Sequence, residues 1–271
     1  MELLGLQDFS PSLLEERQVT SMAPTLVLNP AGGKMESPKV LNRLATSILI
    51  FFLTISSMIF VSGSEPYDYM QYVVQWQPAV CGNPKNYRRC TKLPKQNFTI
   101  HGLWPSNFSG ADVIYCRQGH EFDINEVHPI QAELHECWPD MLHRGNAVFW
   151  RAQWRKHGRC SLNVFSNQFE YFNRTVTLCN MYNKRIKDIL WRAQIYPSND
   201  WQMRSSFIAN KIYNAIGRRP ALRCNDYEYV PRDGSRKQLQ EVILCFDVKG
   251  EALIHCSLRI TNCPRRILFS L

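Results

Sequence analysis

The chain has 271 residues, 45% of them hydrophobic, and no internal repeat or low-complexity segment, which excludes repeat architectures and leaves enough length for a domain with a core. It carries 32 Lys and Arg against 23 Asp and Glu, a formal net charge of +9. This excess favours a polyanionic partner or substrate, although a solvated basic surface would give the same composition.

The first 63 residues are predicted to lie outside that domain. Residues 44–61 form an apolar run that follows Lys39 and Arg43 and ends at small residues, which is the pattern of a secretory signal peptide. We therefore expect a signal peptide over 35–63, cleaved after Gly63, and an upstream extension without a fold over 1–34. A transmembrane anchor is the alternative, but the Ser and Thr residues inside the run disfavour it.

Residues 64–271 are predicted to form a single domain that begins with strands. Residues 67–77 alternate aromatic and polar side chains as a half-buried strand does, and residues 97–103 alternate similarly. His101 comes near the end of this second strand, directly before Gly102, where a backbone can approach a ligand closely. Residues 108–126 show no period and are expected to form an exposed loop.

Helices and further strands follow. Helical spacing is present over 130–142, 147–157 and 168–189, and another helix is expected over 199–216. Strands are then predicted over 240–247 and 252–258, joined by a turn at Lys249 and Gly250. Strands, then helices, then strands again indicate an α+β domain rather than a regular alternation of the two.

All ten cysteines lie in residues 64–271, and an even number behind a signal peptide favours a disulfide framework over a metal site. The five histidines at positions 120, 128, 135, 143 and 255 form no compact ligand set, so no metal is expected. Three sequons agree with export and predict surface glycosylation at Asn97, Asn107 and Asn173.

Two segments carry the residue types that phosphodiester cleavage needs. A helix over 149–157 would place four residues on one face, namely Phe149, Gln153, Lys156 and His157, beside a stripe of Trp150 and Trp154. His101 supplies a second imidazole. Histidines can exchange protons near neutral pH, and a lysine can stabilise an anionic phosphorane. Taken singly, each histidine is more often a structural residue than a catalytic one.

The two segments resemble the active-site signatures of the secreted ribonuclease T2 family: residues 100–105, Ile-His-Gly-Leu-Trp-Pro, and residues 149–160, which include Phe149, Trp150, Lys156, His157, Gly158 and Cys160. The likeness extends over residues 64–271. Residues 67–69, residues 75–81 and Asn262-Cys263-Pro264 resemble plant S-RNases in particular. The resemblance implies a central, mostly antiparallel sheet with packed helices. It also implies cleavage of single-stranded RNA through a 2′,3′-cyclic phosphate to 3′-phosphates, without metal or cofactor.

The resemblance further implies roles for individual residues. His101 stands in the place of the general acid and His157 in that of the general base, while Gln153 and Lys156 stabilise the transition state. The implied substrate-binding residues are Gln75, His101, Asp140, Met141, Phe149, Lys156 and His157. The pair Asp140-Met141 is unusual for this pocket, so the base preference is left open.

One departure from the family pattern concerns the helix. Many members have His-Glu where this chain has Ala152 and Gln153, and we interpret the change as a marker of the self-incompatibility branch. It would remove one phosphate-binding group, for which Arg151 and Arg155 are candidate replacements.

Family pairing implies four disulfides: Cys81–Cys90, Cys116–Cys160, Cys224–Cys263 and Cys245–Cys256. The second would pin the end of the catalytic helix. Cys137 and Cys179 are left over, either as a fifth disulfide or as free thiols.

The hypothesis is therefore a secreted, extracellular, monomeric ribonuclease that acts as the pistil determinant of gametophytic self-incompatibility. Its partners would be RNA and a pollen recognition protein of the F-box type, and no membrane association is expected after signal cleavage. One alternative is an S-like ribonuclease in defence or phosphate recycling. The other is a non-catalytic secreted recognition or storage protein on the same fold.

Overall fold

The structure is a computed structural model that describes residues 67–86, 89–90, 93–111, 113–142, 145–230 and 234–271. The signal peptide expected over 35–63, the extension expected over 1–34 and His143 lie outside these residues. Within the described ranges, no helix combines the length and the hydropathy needed to cross a bilayer.

Three antiparallel strands form the centre of the sheet. Strand β1 (Tyr69–Trp76) lies between β2 (Phe98–Ser106) and the long β5 (Gly234–Phe246). All eight residues of β1 are buried, so the prediction of a half-buried strand was wrong. One side of β1, including Tyr72 and Trp76, faces the main core, and the other side contributes Tyr69 and Val73 to a smaller cluster.

Four further strands extend this sheet on either side of β5. Strands β4 (Ala221–Val230) and β6 (Leu253–Ile254) pair with β5 in antiparallel fashion. Strand β7 (Arg266–Phe269) is parallel to β5 through Gln238 and Leu268, and β3 (Ser198–Arg204) is antiparallel to β7. The expected α+β fold with a mostly antiparallel sheet is confirmed.

Five α-helices occur in the described part of the chain: α1 (Gln77–Cys81), α2 (Gln131–Cys137), α3 (Asn146–Lys156), α4 (Gln168–Arg192) and α5 (Ser205–Ile216). Short 3-10 helices span Ile124–Ile130, Gly158–Ser161 and Leu258–Ile260. Helix α4 begins where the Asn167 side chain accepts the backbone N–H of Glu170. It is joined to β1 by the hydrogen bond that Tyr72 Oη donates to Asn183 Oδ1 over 2.5 Å.

Several predicted boundaries were wrong. The helix expected over 199–216 begins only at Ser205, because residues 198–204 form β3 and pair with β7. The helix expected over 130–142 ends at Cys137, and the strand expected over 252–258 is only the two-residue β6. Strands β4 and β7 were not predicted, because strand formation there depends on distant pairing partners more than on local alternation.

The structure pairs the cysteines as the resemblance implies and adds a fifth bond. Four disulfides join Cys81 to Cys90, Cys116 to Cys160, Cys224 to Cys263 and Cys245 to Cys256. The remaining two cysteines, Cys137 on α2 and Cys179 on α4, are also bonded. The open choice between a fifth disulfide and two free thiols is thereby decided.

Candidate active site

A β-bulge presents His101. Gly102 of β2 pairs with Val73 of β1 and Ile100 pairs with Val74, so His101 is an extra residue without a partner in the register. Bulges redirect side chains and are common beside active sites. The surrounding backbone is held by the Trp138 indole, which donates to His101 O over 3.1 Å, and by the Tyr171 hydroxyl, which donates to Leu103 O over 2.7 Å.

Helix α3 supplies the second half of the site. Its tryptophans, Trp150 and Trp154, are fully buried, while Phe149 and Gln153 are nearly so on the neighbouring face. The helix ends at Lys156, and the N–H of His157 still donates to Gln153 O over 2.8 Å. The predicted shared face is therefore present, although His157 lies one residue beyond the helix.

Two links fix the end of this helix. The Cys116–Cys160 disulfide joins the loop before α2 to the 3-10 helix that follows His157, and the Tyr115 N–H donates to Lys156 O over 2.9 Å. Gly158 is required at this bend, because a Cβ there would meet the rings of Trp154 and Tyr171. The position of His157 is thus set from both sides of the residue.

Trp104 lies between the two imidazoles. Its ring is stacked on His157 with centroids 4.9 Å apart and meets His101 edge-on at 5.0 Å. Its indole N–H donates to Gln153 Oε1 over 3.0 Å, which leaves the Gln153 amide N–H groups as unused donors among the described residues. A Cβ at Gly102 would overlap both Trp104 and Gln153, so the glycine permits this contact.

Two residues of the site were missed by sequence reasoning. Glu241 of β5 is 4% exposed, and its Oε1 lies 2.5 Å from His101 Nδ1. Its Oε2 lies 3.7 Å from Nη1 of Arg223 on β4, the residue directly opposite it in the strand register. The sequence did contain a signal for Glu241, because it is a charged residue inside the apolar run of 239–246. The prediction treated it only as part of a strand.

The two histidines differ in their electrostatic surroundings. The His157 pKa is lowered from 6.5 to about 3, first because the ring is buried and then because Lys156, His101 and Arg223 are nearby cations or potential cations. Its Nδ1 is buried and has no hydrogen-bond partner in the described part of the protein. His157 is therefore neutral near pH 7 and can accept a proton.

A cleft of about 560 Å³ opens beside Trp104 and His157. Its described lining includes three cationic side chains, Lys156, Arg223 and Arg259. Arg151 and Arg155, the candidates for compensating charge, are instead exposed on α3 and do not line this cleft. Arg223, whose guanidinium lies 5.4 Å from the Trp104 ring centroid, is the cation that the fold brings to the site.

The expected substrate-binding residues divide into two groups. Phe149 lies 6.1 Å from the His101 ring, and Gln75 is buried opposite Glu241 in the register of β1 and β5. Met141 packs instead against Val80 and Cys81 of α1. The backbone N–H of Asp140 donates to the Asn146 side chain at the start of α3. The structure thus joins Phe149 and Gln75 to the histidines and places Asp140 and Met141 at the α1 side.

Comparison with known proteins fits this geometry. The model of the Ribonuclease T2 family matches residues 67–256. Ribonuclease MC of Momordica charantia is 35% identical over 70% of this chain and 95% of its own length. Ribonuclease S-6 of Pyrus pyrifolia is 30% identical over 77% and 87%, and extracellular ribonuclease LE of Solanum lycopersicum is 30% identical over 78% and 90%.

Solved structures of ribonucleases also resemble this chain. Ribonuclease MC1 from bitter gourd seeds superposes with a TM-score of 0.64 and 31% identity, covering 75% of this chain and all of its own. A mutant of the same enzyme in complex with 5′-GMP gives a TM-score of 0.64 and 33% identity, covering 74% of this chain and 100% of its own. Two histidines around one tryptophan, five disulfides and these relatives lead to one conclusion: the chain belongs to the Ribonuclease T2 family and is an endoribonuclease.

Proposed function

We propose that the protein cleaves single-stranded RNA by metal-independent transphosphorylation, and that His101, Gln153, Lys156 and His157 carry the reaction. The observation that supports this most directly is the placement of two imidazoles around Trp104, one hydrogen-bonded to a carboxylate and the other kept neutral by burial. Such a pair can divide the base and acid roles between two residues of the same type.

In the first step, neutral His157 accepts the proton of the ribose 2′-OH. The 2′ oxygen forms a bond to phosphorus, the bond from phosphorus to the 5′ oxygen breaks, and His101 Nε2 gives its proton to the departing oxygen. Lys156 and the Gln153 amide stabilise the charge on the non-bridging oxygens. In the second step, His101 takes a proton from water as the water oxygen forms a bond to phosphorus. The bond from phosphorus to the 2′ oxygen breaks, and His157 returns a proton to that oxygen, which leaves a 3′-phosphate.

The low pKa of His157 is consistent with this role when substrate is bound. Lys156 and Arg223 contribute to lowering that pKa in the free protein. A bound phosphodiester carries negative charge and offsets these cations, which raises the basicity of His157 when a proton must be taken up. The base is thus neutral before binding and stronger after it.

The substrate pocket is proposed to continue from His101 along Phe149 and Gln75 toward Asp140 and Met141. The Phe149 ring is nearly buried beside His101, so only an edge or face of it would contact a base. Aromatic contact of this kind binds any base, and amide or carboxylate groups add selectivity.

The biological role proposed is that of a secreted pistil determinant of gametophytic self-incompatibility, acting as a monomer on RNA and recognised by a pollen F-box-type partner. The Ala152-Gln153 pair and the basic charge support it, as does the similarity to a ribonuclease named S-6. Secretion is supported by the extracellular tomato relative and by the sequons, since Asn97 and Asn173 are exposed and Asn107 lies on the rim of the cleft.

An S-like ribonuclease is the second candidate, favoured by the 35% identity to Ribonuclease MC. Expression separates the two roles. The self-incompatibility role expects transcript and protein in the style, and loss of the gene should allow pollen of the matching haplotype to reach the ovary. Expression confined to phosphate-starved or wounded tissue would support the second candidate instead.

Activity itself is tested with the purified protein and single-stranded RNA in the presence of EDTA. We expect cleavage with transient 2′,3′-cyclic phosphate ends that are later converted to 3′-phosphates, detected by chromatography of a defined oligonucleotide. A 2′-deoxy linkage at the cleaved position should be resistant. Cleavage of that linkage, or full dependence on a divalent metal, would contradict the mechanism.

A further inference from the structure

Glu241 is a buried carboxylate that the proposed reaction does not use. It lies in the long strand β5, where Leu239, Val242, Ile243 and Leu244 around it are all buried. An ionised carboxylate is costly to bury unless charged or hydrogen-bonding partners compensate for the lost hydration. Its two carboxylate oxygens each face one such partner, and both partners belong to the candidate active site.

The first partner is His101. Glu241 Oε1 lies 2.5 Å from His101 Nδ1, and an ionised carboxylate at that distance accepts a hydrogen bond from a protonated Nδ1. The other ring nitrogen, Nε2, is then the one that exchanges a proton with substrate. The tautomer of a histidine is set in this way by the hydrogen bond of the nitrogen that does not react.

The second partner is Arg223. Its guanidinium lies 3.7 Å from Glu241 Oε2, donates to Gln71 Oε1 over 3.3 Å and rests on the Trp104 ring. It also lines the cleft with Lys156 and His157. The Glu241 carboxylate therefore contacts the ring of His101. It also contacts Arg223, a cation that lines the cleft beside His157.

We propose that Glu241 is a positioning residue for the reaction, which fixes the tautomer and orientation of His101 so that Nε2 protonates the leaving 5′ oxygen, and holds Arg223 as a binding group for the substrate phosphate. The proposal rests on the proposed function. It assigns Glu241 no contact with substrate, because the carboxylate is buried and faces His101 and Arg223.

The bulge explains why a residue on β5 can reach His101. The bulge in β2 turns the His101 side chain out of the regular alternation, and a second irregularity in the pairing of β4 with β5 lies next to Glu241, between Arg223 and Cys224. Two irregularities in strand pairing thus lie beside the contacts that Glu241 makes with His101 and Arg223.

The test compares Glu241→Gln with wild type on two substrates that share the same nucleoside 3′-phosphate. One is a dinucleoside phosphate, whose alkoxide leaving group needs a proton. The other carries a 4-nitrophenyl leaving group, which departs without one. We expect kcat for the dinucleoside to fall by about 10- to 100-fold, as when orienting carboxylates are removed from other histidines, and kcat for the nitrophenyl ester to change by no more than about threefold.

Three further single variants and one double variant make the result interpretable. His101→Ala should show the same leaving-group pattern, and the double variant with Glu241→Gln should lose little more than His101→Ala alone, because both changes act through one ring. Arg223→Met should raise KM for both substrates without a leaving-group dependence. Glu251→Gln, at an exposed ion pair with Arg174, is the matched control and should resemble wild type.

Equal loss of activity on both substrates, or full additivity with His101→Ala, would overturn the positioning role. So would unchanged activity in Glu241→Gln while wild type is active. An inactive wild-type protein would instead refute the proposed function. Circular dichroism and thermal unfolding check folding. If Glu241→Gln does not fold, Glu241→Asp, which keeps the charge and shortens the reach, must show the same dependence on the leaving group.

Discussion

The two histidines are the same residue type in opposite surroundings. His101 lies on a bulged strand with its ring 28% exposed and in contact with a carboxylate, whereas His157 follows a helix, is 6% exposed and has cationic neighbours. The first ring contacts the carboxylate of Glu241, whereas burial, and then the nearby Lys156 and Arg223, lower the pKa of the second. This difference in environment supports the proposed roles of His101 as the acid and His157 as the base.

Replacing each histidine tests this comparison most severely. We expect His157→Asn to lose about 10²- to 10⁴-fold in kcat/KM on RNA and on a nitrophenyl ester alike, because both substrates need the 2′-OH to be deprotonated. His101→Asn should lose as much on RNA but far less on the ester. The measurement is steady-state kinetics on both substrates, and an ester that rescues His157→Asn would reverse the assignment.

Two disulfides that close loops of similar size provide a matched test of what positions His157. Cys116–Cys160 and Cys137–Cys179 span 44 and 42 residues, so removing either should cost a similar free energy of unfolding, about 2 to 4 kcal/mol. Only the first adjoins His157. We expect the Ala pair at 116 and 160 to lower kcat/KM on RNA about 10-fold or more, since small misplacements of a base are costly.

The Ala pair at 137 and 179 serves as the control, and its kcat/KM should stay within about twofold of wild type under conditions where both proteins are folded. Urea unfolding measures the free energy of unfolding of each Ala pair, and kinetics on RNA with the same samples measures kcat/KM. Equal losses of activity in the two pairs would mean that the Cys116–Cys160 bond does not position His157.

The pH dependence of stability tests the electrostatic part of this comparison. The His157 pKa is about 3 in the folded protein and near 6.5 when unfolded, so the unfolded chain takes up a proton first as pH falls. The contribution of this group to stability is complete above pH 6.5 and is lost between pH 6.5 and 3. At pH 4 the loss should be roughly 3 kcal/mol.

Since many carboxylates also titrate in that range, the comparison is with His157→Asn, which lacks the group. Urea unfolding at pH 7 and pH 4 should show a smaller decrease for His157→Asn than for wild type. Identical decreases would indicate that His157 is not held neutral in the folded protein.

Much of the site could be predicted from the sequence. Local patterns indicated the helical spacing of Phe149, Gln153 and Lys156 and the tryptophan stripe beside them. They also indicated the two histidines. Such patterns do not depend on contacts with distant parts of the chain. The sequence also indicated an α+β domain and the four disulfides that the family resemblance implies. The fold class follows from the order of local patterns, whereas the disulfide pairing followed from the resemblance.

Only the tertiary structure decided what surrounds those residues. The bulge at His101, the contacts of Glu241 and Arg223, the division of residues 198–216 between β3 and α5, and the Cys137–Cys179 bond all depend on which distant segments pair. Strand register carries no short-range signal, because a polar residue in an apolar strand looks the same whether its partner is solvent or a catalytic group. The sequence alone therefore determined which side chains are proposed to react, and the pairing of β1, β2, β4 and β5 determined how they are held.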